Sequence, residues 1–202
     1  MKYVNQVLVA LLVLAIGYLA YGILEIRRDL FTVYDVPDHY AYDPGDADLT
    51  IVDFNRYGCD HCRMLHPILM EAIKKDGKVR YISRTLAYGS EWESVLASAV
   101  YAAAEQGKFQ EMQDIIYAKW PIQSPSVLFS YAKEIGLDTQ LLSRDMSKDK
   151  IANQVHINEN YFEAWRLKRT PTLLLGDSFI YVPMERDLTV EALLKKFKAA
   201  RS

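Results

Sequence analysis

Between Leu49 and Ile82 the hydrophobic period changes twice, and this limits the folds open to the chain more than any other feature. Leu49-Thr50-Ile51-Val52-Asp53-Phe54 is apolar and β-branched, the pattern of a buried strand, and it gives way to Tyr57-Gly58. From near Cys59 the apolar residues Met64, Leu65, Ile68, Leu69, Ala72 and Ile73 recur at three- and four-residue steps, the period of a helix, until Asp76-Gly77 stops it. Val79 to Ile82 reads as a second strand. Two strands joined through a helix of this length pair in parallel beneath it, because the connection must travel back along the sheet before the second strand can start.

The remaining chain extends this unit. From Glu91 to about Lys168 the signals are helical, with breaks at Gly107, Trp120-Pro121, Ser124-Pro125 and Gly136-Leu137-Asp138, so a helical insertion is expected over 91–168. Thr172 to Leu175 and Phe179 to Val182, joined by a turn at Gly176-Asp177, read as a hairpin. A last helix from Thr189 carries Leu193, Leu194 and Phe197 on one face. The fold class is therefore α/β. With 24 basic against 26 acidic residues, the net charge of -2 offers no basic field for a nucleic-acid backbone, and nucleic acid is excluded as a partner.

The N-terminal residues differ in kind. Between Lys2 and Glu25 the 22 residues Tyr3 to Leu24 are uncharged, and Tyr3, Tyr18 and Tyr21 lie toward the ends of the stretch. A helix of that length would run about 33 Å, enough for a bilayer core, with aromatic rings at its interfaces. Residues 1–26 are thus expected to be a single transmembrane anchor; a cleaved signal peptide ending at Ala20-Tyr21-Gly22 is the alternative. Residues 27–48, with Pro37 and the turn Asp43-Pro44-Gly45-Asp46, read as a stalk before a domain over 49–202.

The only two cysteines, Cys59 and Cys62, stand three apart at the start of the helix. A thiol exchanges disulfides as the thiolate, and a helix N-terminus favours that anion through its free N-H groups and dipole. Cys59 is thus the expected nucleophile, and Cys62, one turn on, the shielded resolving thiol. His61 can stabilise the Cys59 anion, whereas the Asp60 carboxylate disfavours it. Asp53, six residues before Cys59 in an apolar strand, could exchange protons with Cys62, its pKa raised by burial; the alternative is an Asp turned to solvent at the strand end. Pro171 immediately precedes a strand, a placement that fits an edge or a cis bond after Thr170. The rival reading is a metal site on Cys59, Cys62 and His66, but a structural zinc site needs a fourth ligand. His39, His66 and His156 are otherwise expected at the surface or in packing.

These residues resemble the DsbA family of thioredoxin-like oxidoreductases over Leu49 to Ala199. Cys59-Asp60-His61-Cys62 looks like the family's CxHC centre, Asp53 matches its buried acid, and Thr170-Pro171-Thr172 looks like the cis-proline loop that faces the active site. Ala102-Ala103-Ala104-Glu105-Gln106-Gly107-Lys108-Phe109 and Ile135-Gly136-Leu137-Asp138 resemble its helical insertion. The chain departs from the family at Asp60, where the most oxidising members have proline, and at Arg169, a position often glycine. The resemblance implies a thioredoxin-like fold and a protein-disulfide oxidoreductase with no cofactor beyond the Cys59-Cys62 disulfide. It would donate disulfides to reduced or misoxidised exported proteins and be reoxidised by a DsbB-like membrane partner. Disulfide donation places the catalytic domain on the periplasmic or extracytoplasmic face of the inner membrane, with Lys2 inside. A tethered reductase or isomerase, to which Asp60 points, and a copper metallochaperone using Cys59 and Cys62 are the alternatives. Isomerases of the superfamily are dimers with long N-terminal domains; the short stalk here leaves a monomer expected.

Overall fold

The computed structural model describes residues 6, 11–22, 24, 32–176 and 179–201 and divides the chain into two compact units, Met1–Asp35 and Val36–Ser202. In the first, the expected anchor lies partly outside the described residues; residues 11–22 are helical. Among the described residues no helix is long and apolar enough to cross a membrane.

In the second unit the expected strands form. Five strands, β1 (Ala41–Tyr42), β2 (Leu49–Asn55), β3 (Val79–Thr85), β4 (Thr172–Leu175) and β5 (Phe179–Tyr181), make one sheet in the order β1-β3-β2-β4-β5. β2 and β3 pair in parallel with Ile51 beside Tyr81 and Asp53 beside Ser83, as the crossover geometry requires. β4 runs antiparallel to β2 and to β5, which completes the hairpin. The central strand β2 is hydrogen-bonded on both sides and nearly wholly buried, which its continuous apolar run predicts.

The expected stalk over 27–48 is corrected at its C-terminal half. From Val36 on it belongs to the second unit, Tyr40 is buried, and β1 pairs antiparallel with β3 through Ala41-Ile82 and Tyr42-Tyr81. A two-residue strand is too short for an alternating pattern to show in sequence.

Helix α1 (Asp60–Asp76) ends at Gly77, whose φ of 77° is the left-handed cap that glycine takes without a Cβ penalty. The helical insertion comprises α2 (Glu91–Ala104), α3 (Phe109–Ala118), α4 (Pro125–Glu134), α5 (Thr139–Met146) and α6 (Asp149–Ala164). Ser124 caps α4 with Pro125 at its first turn, and Asp138 caps α5 through the N-H groups of Gln140 and Leu141. Trp120-Pro121, expected as a break, is one of two cis X-Pro bonds among the described residues. The break between α5 and α6, at Ser147 and Lys148, carries no Gly or Pro and is not among the expected breaks.

The last helix, α7 (Val190–Ala200), is capped by Thr189 and buries Leu193 and Phe197. These pack with Leu65, Leu69 and Ile73 of α1 and with Leu49, Ile51, Tyr81, Leu173 and Leu175 of the sheet in one core. Side chains alternate across a strand, so Asp53 shares this face of β2 with Leu49 and Ile51 and comes up at the start of α1. On the opposite face Phe54 meets Phe162 of α6 with ring centroids 5.8 Å apart, and buried Arg84 donates to Asn158 at 3.2 Å.

Candidate active site

Cys59 is the N-cap of α1: its backbone is extended, and its sulfur accepts from the Cys62 N-H at 3.3 Å. Its sulfur is part-buried and lies 3.5 Å from the Thr170 carbonyl oxygen, with the Thr170-Pro171 bond cis. Cys62, one turn in, is buried at 2% exposure. The two thiols are unbonded. Their environments drive them apart: the Cys59 thiol is lowered to about 5, chiefly because the Cys62 thiol donates to it, helped by the backbone N-H groups of Cys62 and His61. The Cys62 thiol is pushed strongly upward by burial and by the neighbouring Cys59 charge. Cys59 thus ionises in neutral solution while Cys62 holds its proton, the asymmetry that thiol exchange requires.

Asp53 is buried, not turned to solvent. Its Oδ2 accepts from Tyr81 Oη at 2.9 Å and Asn55 Nδ2 at 3.1 Å, and its Oδ1 has no hydrogen-bond partner among the described residues. Burial raises its pKa to about 7 against the pull of those two donors. The Asp53 charge is one of the causes that raise Cys62, so the two groups share a field. Around them runs a buried polar network: Asn55 and Gln113 both donate to Ser83 Oγ, at 2.7 and 2.6 Å, and Tyr117 Oη donates to Asn55 Oδ1 at 3.0 Å. Asn55 and Tyr81, which bond the Asp53 carboxyl, would each lose that partner if it moved, and the network holds Asn55 in place.

A thioredoxin family model matches residues 40–196. The chain belongs to the thioredoxin family. Disulfide bond formation protein D of Bacillus subtilis is 22% identical over 165 residues, covering 76% of this chain and 74% of that protein. The Na(+)/H(+) antiporter NhaA 3 of Salinispora tropica is 25% identical over 182 residues, 89% of this chain. This chain spans only 28% of that antiporter's length. Among solved structures, the thiol-disulfide exchange protein alpha-DsbA2 of Wolbachia pipientis superposes with a TM-score of 0.71 at 19% identity, over 87% of this chain and 97% of that one. The thioredoxin-like α/β fold read from the sequence is borne out, and the proteins the chain is similar to include a DsbA-type one.

Other candidates are placed less centrally. Asp60 faces solvent and is bonded to Arg63 at 2.7 Å, so its charge beside Cys59 is partly offset within the same turn. The His61 ring is half-buried, and its Nε2 has no partner among the described residues, so that atom does not bond the Cys59 sulfur. His66 is buried and engages Asp114 at 2.6 Å through Nε2, while His39 engages Glu105 at 3.2 Å and His156 is exposed. Among the described residues no group of three His, Cys, Asp or Glu could hold a metal ion.

One charged pair at the site carries no motif in the sequence. Arg56, three residues before Cys59, grips buried Glu93 of α2 with both its Nε and one terminal nitrogen at 2.9 Å. Its guanidinium feels both sulfurs, and a fixed cation there favours the thiolate. The fold makes room for the pair: a Cβ on Gly58 would stand 2.0 Å from Glu93 Oε1, and one on Gly89 2.8 Å from the Arg56 nitrogen. The legible signal was a cation close before the CxxC with glycines at 58 and 89; its partner, 37 residues away, was not legible.

Proposed function

We propose that this chain is a protein-disulfide oxidoreductase that donates the Cys59-Cys62 disulfide to exported proteins. The observation that carries the reading is the opposed ionisation of two sulfurs one helical turn apart, the low one beside the Thr170 carbonyl. A client thiolate attacks Cys59 Sγ of the oxidised pair; the S-S bond breaks, and Cys62 leaves and takes a proton, for which Asp53, with a pKa near 7, is the nearby donor. A second client thiolate then attacks the client sulfur of the mixed disulfide and releases Cys59 as a stable thiolate. Two electrons pass to the enzyme, and a client disulfide forms. The Thr170 backbone is the docking edge for an extended client, which would add as a strand.

The rest of the reading follows from that activity. Residues 1–26 anchor the chain in the inner membrane, 27–35 form the tether, and the domain works as a monomer on the periplasmic side, reoxidised by a DsbB-like membrane partner. Thr170 and Pro171 hold the client, Asp60 modulates the centre, and His61 stabilises the reduced state from the cleft wall. The chain spans about a quarter of the length of the antiporter relatives.

The reduction potential of the Cys59-Cys62 couple tests the direction. A value near about -120 mV supports the oxidase, and one near about -270 mV turns the reading to the tethered reductase that Asp60 suggested. A Cys62→Ser variant should accumulate mixed disulfides with exported proteins, since the leaving or resolving sulfur is gone while Cys59 remains.

A further inference from the structure

Beside the Cys59 sulfur, a cleft of about 490 Å³ runs from His61 and Thr170 to the turn after β5. We propose that this cleft selects clients whose reacting cysteine is flanked by an acidic side chain; the inference rests on the disulfide-exchange reading and names its substrate class. Thr170 contributes to the cleft and also places its carbonyl 3.5 Å from Cys59 Sγ. An extended client lying along Thr170 with its cysteine at Cys59 therefore delivers a neighbouring side chain into the cleft, because successive residues of a strand rise only about 3.3 Å.

The polar lining is cationic. Arg169 and Arg186 stand against the single carboxylate of Glu185, with His61 beside them, while Val182 and Met184 give an apolar wall. Arg169 is exposed and its guanidinium makes no hydrogen bond or ion pair among the described residues, so it is available to a ligand. Arg186 is partly offset by adjacent Asp187, whose carboxylate accepts from the Met184 N-H at 3.1 Å. Exposed Arg166 and Lys168 precede Arg169, with no acidic residue between Trp165 and Thr170. The Asp60 charge next to Cys59 is partly offset by Arg63. The whole chain carries a net charge of -2, so this positive lip is local and acts at the docking step, not by drawing clients from afar.

The test uses the full-length chain with its cysteine pair oxidised and three dithiol peptides that differ only in the residues flanking their cysteines: Asp, Asn or Lys. The expected order of oxidation rates is Asp, then Asn, then Lys, with roughly tenfold between the extremes at low salt and a smaller spread at high salt, as for exposed charge pairs. Arg169→Glu and Arg186→Glu should each reverse the preference, Arg169→Gln should shrink it, and Lys195→Glu on α7, an equal change in net charge, should leave the order intact. Equal rates for the three peptides, or an unchanged order in the reversal variants, would overturn the inference. A wild-type enzyme that oxidises none of the peptides yet is reduced by dithiothreitol would instead remove the client-oxidation reading beneath it.

Discussion

Replacing Cys59 by serine should strip the reduced protein of a share of its stability that grows with pH. The Cys59 thiol falls from an ordinary 9.0 to about 5 in the fold. A group whose folded pKa is depressed stabilises the native state fully above its unfolded pKa and loses that contribution as pH falls through the folded value. At pH 7 the two units above the folded pKa correspond to about 2.7 kcal/mol. The sulfur is only part-buried, so solvent screening brings this to roughly 1–2.5 kcal/mol. The oxidised protein has no thiolate to stabilise, so the same energy makes the couple more oxidising by about 20–55 mV, at roughly 30 mV per 1.4 kcal/mol. Urea unfolding of the reduced wild type and the reduced Cys59→Ser variant at pH 5, 6, 7 and 8 reads the linkage directly. Their stabilities should converge at pH 5 and separate steadily above it. Parallel curves across that range would refute the reasoning.

Asp53→Asn should remove an inflection near pH 7 from the release step. Because burial raises the folded pKa of Asp53, its ionisation costs stability once pH exceeds the unfolded value, so the variant should be more stable than wild type by about 2–4 kcal/mol at pH 8 and equal to it at pH 4, measured by denaturant midpoints. Arg56→Met leaves Glu93 buried without its partner and should cost roughly 2–4 kcal/mol, and it should move the alkylation midpoint of Cys59 upward. Adding Glu93→Gln to that variant should recover stability without restoring the low thiol midpoint, which separates the two effects. Phe197→Ala, in the core shared by α1, α7 and the sheet, should cost about 3–5 kcal/mol in urea unfolding while leaving the alkylation midpoint of Cys59 unchanged.

Most of the active-site skeleton was legible because its signals are local. The β-branched run into Asp53, the cysteines three apart at a helix start and the proline before β4 each constrain the backbone within a few residues. Those positions emerged together at the start of α1, with Thr170 returning from 111 residues away to within 3.5 Å of Cys59. The illegible parts are long-range or very short. β1 is two residues long and shows no alternation. The break at Ser147 and Lys148 is made without Gly or Pro, so no local punctuation marks it.

The sequence by itself determined the α/β class, the parallel strand-helix-strand unit and the Cys59-Cys62 pair, since periodicity, turn residues and spacing are written along the chain. Only the tertiary structure decided how those residues titrate. Burial set against particular partners raises Asp53 to about 7, drives Cys62 up and brings Cys59 down to about 5. The partners come from elements far apart in sequence: Tyr81 from β3, Gln113 and Tyr117 from α3, Glu93 from α2. A pKa is a difference in solvation and Coulomb energy between two charge states at one place. That place exists only when the sheet, the insertion and the loop before Pro171 have packed around it.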